Sequence, residues 1–343
     1  MDRSLAHHPA RRLLRRVLGF SIVLTLCLIM MGAWVRLTDA GLGCPDWPGC
    51  YGHVTPTRAA DKIAAAVAEQ GGEHGPVSMG KAWREMLHRY VAILLGAIVL
   101  AVAAYSVWRR RELRQSPLPA LLLLAVVILQ GLFGKWTVTL LLKPAIVTGH
   151  LIGGMLVFSL LIWLWLRQRP VPSYIDPEPV AALRLPALLA LIAVAVQIAL
   201  GGWVSTNYAA LACTDLPTCQ GRWWPQVNFA DGFHVVRELG RTGDGEFLPM
   251  QALTAIHLTH RIGAVMVALV VGWAGWRAWR SPGVRGLGAL LLGMLAVQWS
   301  LGLANVAFSL PLPVAVAHNG GAALLLGLTV VLNFRSRQAS PLV

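Results

Sequence analysis

Eight apolar stretches alternate with polar segments along the chain. They cover residues 17–37, 86–107, 118–139, 145–166, 186–206, 251–276, 287–308 and 314–334. A helix of about 20 apolar residues is long enough to cross the hydrocarbon core of a bilayer. The first stretch is too long for a secretory leader and is not followed by a small-residue cleavage site, so we expect it to be retained. The pattern therefore predicts an all-α integral membrane protein with eight transmembrane helices.

One segment of the chain occurs twice. Residues 32–52 read GAWVRLTDAGLGCPDWPGCYG and residues 201–221 read GGWVSTNYAALACTDLPTCQG, with 10 of 21 positions identical at a constant offset of 169. Such a repeat indicates two copies of one unit. Each copy holds four apolar stretches, and an even number of crossings gives both copies the same orientation. We predict two parallel-repeat four-helix bundles, residues 1–166 and 186–343, joined by a cytoplasmic linker at 167–185.

Composition and charge support a membrane protein. Hydrophobic residues make up 56% of the chain and charged residues 13%, whereas soluble domains carry about 25% charged residues. The net charge of +14 does not indicate a nucleic-acid partner, because the basic residues form short clusters between the apolar stretches. The chemistry of the chain must therefore be sought in or beside its membrane spans.

The basic residues also predict an orientation. Of the 29 lysines and arginines, 17 precede the first stretch or follow an even-numbered one. Basic residues favour the cytoplasmic side of a membrane. We therefore expect a multi-pass protein of a bacterial-type inner membrane with both termini in the cytoplasm. The two long loops, about 38–84 and 207–250, then lie outside.

Four of the five cysteines form two close pairs in these outer loops. Because the outer compartment permits disulfides, the simplest interpretation is one bond per loop, Cys44–Cys50 and Cys213–Cys219. A zinc site is disfavoured by the five-residue spacing. The residues leave open whether the pairs are structural or redox-active. We expect Cys27, inside the first stretch, to be a buried packing thiol.

Five histidines lie at the outer starts of the even-numbered stretches: His88, His150, His257, His260 and His318. Ionisable groups in membrane spans are costly and are usually functional. Imidazoles on facing helices of a four-helix bundle are a common way to hold haem iron. We predict two haem sites, one with ligands His88 and His150 and one with ligands His260 and His318.

Two residues compete for one of these ligand positions. The constant offset of 169 places His257 opposite His88, whereas alignment of the shared His-Arg dipeptides places His260 there. We prefer His260 as the ligand and assign His257 to the surroundings of the site. Arg89 and Arg261 directly follow the ligand histidines. They are candidates to pair with haem propionates or with lipid phosphates.

Glu85 distinguishes the first copy from the second. It lies three residues before His88, so the two share a helix face, and the matching residue in the second copy is His257. A carboxylate in apolar surroundings is suited to proton transfer, which makes Glu85 the candidate catalytic group. Two alternatives stay open. Glu85 could join His88 and His150 in a two-histidine, one-carboxylate iron site, or it could sit in headgroup water at the helix start.

These residues resemble the haem A synthase family over about residues 17–334. The resemblance rests on the motif at 32–52, on EMLHR at 85–89, and on Gln-His pairs separated by 20 residues at Gln130–His150 and Gln298–His318. It implies an oxidoreductase acting on CH groups, which oxidises the C8 methyl of haem O to the formyl of haem A by successive hydroxylations. It also implies cysteine pairs that form disulfides.

The resemblance further implies a role for each half. The first half would bind the substrate haem through His88 and His150 beside Glu85, and the second would bind a haem b cofactor through His260 and His318. Haem O synthase and terminal oxidase assembly factors are the implied protein partners, and membrane lipid surrounds the chain. The sequence leaves the electron acceptor, the entry route of haem O and homo-oligomerisation open.

Two other functions compete with this interpretation. A dihaem b-type membrane cytochrome would use the same histidines for electron transfer alone, although it would not need the carboxylate of Glu85. A parallel-repeat transporter would place charged or broken spans near the membrane midplane. Here the polar residues lie near the outer ends of the spans instead, which disfavours the transporter.

Overall fold

The computed structural model describes residues 9–72, 75–169 and 178–338. Within these ranges the regular elements are helices, and β-pairing is limited to isolated bridges. Eight helices are long and apolar enough to cross a membrane, so the chain is an all-α, multi-pass membrane protein, as predicted. They are α1 (Pro9–Leu37), α2 (Met79–Trp108), α3 (Leu118–Thr139), α4 (Pro144–Arg167), α5 (Arg184–Thr206), α6 (Met250–Arg280), α7 (Arg285–Ala307) and α8 (Leu312–Gln338).

Several helices extend beyond their apolar stretches. Helix α1 begins at Pro9 rather than at residue 17, and α2 begins at Met79 rather than at residue 86. Polar flanking turns continue a helix because each further residue adds a backbone hydrogen bond. At the start of α2, the hydroxyl of Ser78 caps the helix by accepting a hydrogen bond of 3.2 Å from the Lys81 N–H. His88, near the start of its apolar stretch, therefore lies more than two turns inside α2.

The helices pack as two rings of four. In the first ring α1 contacts α2 and α4, and α3 contacts the same two helices; α5 to α8 form a second ring with the same order of contacts. The rings meet where α4 packs on α8, α1 on α8 and α4 on α5. Helices α2 and α4 thus lie across the first ring from each other, and α6 and α8 across the second. This arrangement positions the histidines of each half.

The junction between the rings depends on close helix packing. A Cβ atom built on Gly327 of α8 would lie 2.9 Å from Cδ1 of Ile162 and 3.2 Å from Cε1 of Phe158, both on α4. The glycine therefore lets the two helices approach more closely than a larger residue would. Of the predicted linker at 167–185, residues 170–177 lie outside the described residues.

Two long segments connect the odd-numbered to the even-numbered helices on the side of the histidines. Residues 38–78 join α1 to α2 and include a 3-10 turn at Pro56–Ala59 and a helix at Ala60–Glu69. Residues 207–249 join α5 to α6 and include a short helix at Phe229–Gly232. Both segments begin with the repeated cysteine motif, so the two disulfide loops lie at the same end of the molecule as the candidate site.

Candidate functional site

Each of the four predicted ligand histidines packs its ring against a glycine of the preceding helix. A Cβ atom built on that glycine would lie close to Cε1 of the imidazole. The four pairs and their distances are Gly32–His88 (3.1 Å), Gly134–His150 (3.5 Å), Gly201–His260 (3.0 Å) and Gly302–His318 (3.3 Å). A side chain at these glycines would displace the ring in at least three of the pairs. The glycines therefore help to set where each imidazole stands.

The histidines form one pair in each ring of helices. His88 on α2 and His150 on α4 lie close enough to interact electrostatically, and so do His260 on α6 and His318 on α8. All four side chains are half-buried. Each ring thus brings together two imidazoles from opposite helices. This is an arrangement that suits two axial ligands of one haem iron.

Glu85 lies in a buried place beneath the first disulfide loop. Its side chain is 5% exposed, and its Oε2 accepts a hydrogen bond of 3.0 Å from the Cys44 N–H. Its other oxygen, Oε1, accepts a hydrogen bond from the guanidinium of Arg89, with which it forms an ion pair. The alternative that placed Glu85 in headgroup water is therefore wrong, because the loop and Arg89 enclose the carboxylate.

His257 takes the same place in the second half. The Cys213 N–H donates to Nδ1 of His257 at 3.3 Å, as the Cys44 N–H donates to Glu85 in the first half. The side chain of His257 is 4% exposed, whereas that of His260 is half-buried and faces Gly201. His260 is therefore the structural counterpart of His88, and His257 is the counterpart of Glu85.

Arg89 and Arg261 bind the disulfide loops. In the first half, Nη1 of Arg89 donates to the carbonyl oxygens of Asp46 at 2.8 Å and of Gly49 at 2.6 Å. In the second half, Nη1 of Arg261 donates to the carbonyl oxygen of Asp215 at 2.9 Å. Each arginine thus ties its loop to the helix that carries the ligand histidine. The sequence did not indicate this role, because the loop carbonyls leave no signature in side-chain identity.

The cysteine pairs are bonded as predicted. Disulfides join Cys44 to Cys50 and Cys213 to Cys219, each closing a loop of the repeated motif. The prediction for Cys27 is wrong, because its side chain is exposed on α1 rather than packed between helices. The apolar stretch alone does not specify which face of the helix meets its neighbours, and Cys27 lies on the face that is left for lipid.

An aspartate stabilises each disulfide loop from inside. The Gly52 N–H donates to Oδ2 of Asp46 at 2.8 Å, and the Gly221 N–H donates to Oδ2 of Asp215 at 3.0 Å. Hydrogen bonds from the Thr218 hydroxyl and then from the Gly221 N–H lower the pKa of Asp215 to about 2. Gly52 and Gly221 have φ of +80° and +71°, which accounts for the glycine that ends both motifs.

A non-haem iron site is not formed. Among the residues that the structure describes, no group of three His, Cys, Asp or Glu side chains could hold a metal ion. The alternative that combined Glu85 with His88 and His150 is therefore wrong. The three side chains do not converge on one point, because the carboxylate of Glu85 is hydrogen-bonded to the Cys44 N–H and to Arg89 instead.

The same residues do fit haem. In the described ranges, Nδ1 of His88, His150 and His318 is buried without a hydrogen-bond partner. Paired imidazoles from opposite helices are the donor set that a six-coordinate haem iron uses.

The sequence missed one glutamine of the site. In three cases a glutamine amide donates to the backbone carbonyl of a ligand histidine: Gln130 to His150 (2.8 Å), Gln197 to His260 (2.8 Å) and Gln298 to His318 (3.1 Å). The first and third were found from their equal spacing, but Gln197 was not. Two features of the sequence could have indicated Gln197. It is the single amide side chain in the apolar stretch 186–206, and its partner His260 is followed after three residues by a glycine, as His150 and His318 are.

Comparison with known proteins gives a consistent result. The profile of the family COX15-CtaA, described as "Cytochrome oxidase assembly protein", matches residues 15–330. A protein of Shewanella oneidensis named "Heme A synthase" is 42% identical over 322 residues, which cover 93% of this chain and 95% of that protein.

More distant relatives carry the same name. "Heme A synthase" of Rhizorhabdus wittichii is 28% identical, with 95% of this chain and 94% of the relative covered. "Heme A synthase" of Allorhizobium ampelinum is 27% identical, with 93% and 89% covered. The family profile and these relatives cover nearly the whole chain, and the residues that the profile matches include both histidine pairs and both disulfide loops. The chain therefore belongs to the COX15-CtaA family.

Proposed function

We propose that the protein is a haem A synthase, an oxidoreductase that converts the C8 methyl of haem O into the formyl of haem A by successive hydroxylations. The observation that carries this proposal is the presence of two histidine pairs in two rings that differ by one carboxylate. Relatives named "Heme A synthase", one of them 42% identical, support it.

We further propose that the two halves divide the work. Residues 1–166 would bind haem O through His88 and His150, and residues 186–343 would bind haem b through His260 and His318. Haem b, when bound, supplies a redox centre that can take up electrons from the substrate. The difference between Glu85 and His257 supports this assignment, since the first half carries a carboxylate at the place where the second half carries an imidazole.

Glu85 is the group that we assign to proton transfer. With water as the source of the oxygen atom, oxidation of a methyl group to a formyl group releases protons as well as electrons, and general-base catalysis contributes about 10²–10⁴-fold to a rate. Glu85 lies three residues from His88, on the same face of α2. Its hydrogen bonds to Arg89 and to the Cys44 N–H hold the carboxylate in one position. The disulfide loop above it limits the access of bulk water.

The orientation in the membrane is also a proposal. We place both termini in the cytoplasm of a bacterial cell and the disulfide loops outside the inner membrane, with the two halves as parallel repeats. Arg36 at the end of α1 donates to the carbonyl oxygen of Ser205 at the end of α5 at 2.6 Å. Equivalent ends of the two halves thus lie side by side, which favours a parallel repeat.

The function is tested by producing the protein in cells that make haem O but no haem A, followed by chromatography of the extracted haems. Formation of haem A is expected, and its absence from cells that accumulate the folded protein would contradict the proposal. Glu85→Gln should retain haem b but leave haem O or its hydroxylated form unconverted. Glu112→Gln, a half-exposed residue paired with Arg109, is the control and should behave as the wild type.

A further inference from the structure

Arg84 lies one helical turn before His88 on α2. The two residues are four apart and therefore share a helix face. At about 100° per residue, the direction of His88 falls between those of Arg84 and Glu85. The side chain of Arg84 is half-buried. A cation and a carboxylate thus flank the ligand histidine on the side of the first disulfide loop.

The guanidinium of Arg84 has no anionic partner in the chain. It lies over the ring of Trp34 on α1, 5.5 Å from the centroid, and its Nη2 is 3.8 Å from a Cβ atom built on Gly80. Among the residues that the structure describes, it forms no ion pair and no hydrogen bond. A positive charge beside the first turn of a helix is unfavourable, so stability of α2 does not account for an arginine here.

The other cations at this end of α2 are already bound. Lys81 donates to the carbonyl oxygen of Gly75 at 2.9 Å. Arg89 is paired with Glu85 and donates to the carbonyl oxygens of the first disulfide loop. Arg84 is therefore the cation near His88 that keeps its donors for a ligand.

Ile256 takes the place of Arg84 in the second half. It precedes the counterpart of Glu85 on α6, as Arg84 precedes Glu85 on α2. Its side chain is 1% exposed and packs in an apolar cluster with Trp203, the residue that the repeat places opposite Trp34. The same site beside an equivalent tryptophan is thus apolar in one half and cationic in the other.

A different arginine lies near Trp203, but its donors are used. The guanidinium of Arg237 is 5.6 Å from the centroid of that ring, and the side chain is 5% exposed. It donates to the side-chain oxygen of Asn207 and to the carbonyl oxygens of His234 at 3.1 Å and Arg241 at 3.0 Å. The first half therefore differs from the second in having a cation beside the ligand that can bind an anion.

We propose that Arg84 binds a propionate carboxylate of the haem that His88 and His150 hold, and that it thereby sets the orientation of this haem. A guanidinium binds a carboxylate through charge-assisted hydrogen bonds, often two in parallel. The inference rests on the proposed assignment of haem O to the first half, and it names a residue that recognises the substrate there.

The chemistry of haem gives this contact a consequence for the reaction. One propionate and the C8 methyl are substituents of the same pyrrole ring, so both lie at one edge of the macrocycle. Arg84 and Glu85 are neighbours at one end of α2. Binding of the propionate by Arg84 would therefore bring the methyl that is oxidised to the end of the helix that carries the candidate base.

The test compares haem O with its dimethyl ester, in which both propionates are neutral. Purified protein that holds haem b but was made without haem O is titrated with either compound, and binding is followed by absorption. The wild type should bind haem O at least about tenfold more tightly than the ester, whereas Arg84→Leu should bind both nearly equally. Arg58→Leu, which removes an exposed cation of the first outer loop, is the control and should discriminate as the wild type does.

A structural role would give a different result. Arg84→Leu should keep its full content of haem b, which reports on folding of the second half. Arg84→Lys retains the charge without the planar donor pair and should recover part of the preference for haem O. Equal weakening of haem O and its ester by Arg84→Leu would overturn the proposal, as would equal affinities in the wild type. If Arg84→Leu does not fold, the wild-type comparison and Arg84→Lys decide.

A lipid phosphate is the competing anion for Arg84. In that case Arg84→Leu would reduce the anionic phospholipid that copurifies and leave the preference for haem O unchanged, which would overturn the proposal. Failure of the proposed function would look different, because the wild type would then bind no haem O or form no haem A. Failure of the present inference leaves both of those properties intact.

Discussion

The hydroxyl of Tyr208 donates a hydrogen bond of 2.7 Å to Oδ1 of Asp39, the residue that the internal repeat places opposite it. A second contact has the same offset, since Arg36 donates to the carbonyl oxygen of Ser205. The guanidinium of Arg36 also stacks on the ring of Tyr208, 3.9 Å from its centroid. Residues at equivalent positions of the two copies thus contact each other at the junction of the two halves. In each contact a donor on one copy faces an acceptor on the other.

We expect Arg36→Ala to destabilise this junction. A hydrogen bond from a charged group is worth about 1.5–3 kcal/mol, and the side chain of Arg36 is 14% exposed. The ion pair with Asp39 should add little, since the carboxylate is 57% exposed and screened by solvent. Thermal unfolding in detergent should show a lower melting temperature than for Arg58→Ala, an exposed control in the first outer loop. Equal melting temperatures would mean that the contact does not stabilise the junction.

Replacement of the two neighbouring histidines should have different effects on haem b. His260→Ala removes the half-buried imidazole and should abolish stable binding of haem b. His257→Gln alters a side chain that is held beneath the second disulfide loop by the Cys213 N–H, and should leave most of the haem in place. Haem content per protein is measured from the pyridine haemochrome spectrum. Full retention by His260→Ala would transfer the ligand role to His257.

Gly201 should be intolerant of a methyl group. The Cβ atom of Gly201→Ala would lie 3.0 Å from Cε1 of His260, which is closer than van der Waals contact allows without a shift of the ring. We expect a several-fold lower haem b content and an altered absorption spectrum. Gly293→Ala is the matched control, because a Cβ atom there would meet nothing within 4 Å. If both variants hold haem b equally well, the glycine does not position the ligand.

The thiol content tests the outer loops and α1 together. With Cys44, Cys50, Cys213 and Cys219 oxidised, the denatured and unreduced protein should react with one equivalent of thiol reagent. That equivalent belongs to Cys27, so Cys27→Ser should react with none. Five reactive thiols in protein made with an oxidising periplasm would show that neither loop is closed in the cell.

Much of the fold could be predicted because it follows from local pattern. The eight helices follow from the length of the apolar stretches, and the equivalence of the two halves follows from the repeat at residues 32–52 and 201–221. Helix ends could not be predicted as well, because polar turns such as Met79–Glu85 continue a helix without any apolar signal. The burial of Cys27 was misjudged for a related reason, since apolarity does not distinguish a lipid-facing side from a packed one.

The candidate site was predictable to the level of its ionisable residues. His88, His150, His260 and His318 stand out because imidazoles are rare in apolar stretches, and their pairing follows from the repeat. The partners of Arg89 and Arg261 could not be predicted, because they are backbone carbonyls brought there by the fold of the loops. Gln197 was missed because its contact joins residues 63 positions apart, a separation with no counterpart in the first half.

The division of work between the halves is tested most directly by comparing His150→Ala with His318→Ala. Both variants remove a half-buried imidazole at an equivalent position, so any loss of protein stability should be similar in the two. We predict that His318→Ala loses its haem b, whereas His150→Ala keeps haem b and fails to convert haem O into haem A. Loss of haem b from His150→Ala, together with its retention by His318→Ala, would contradict the assignment of substrate and cofactor to the two halves.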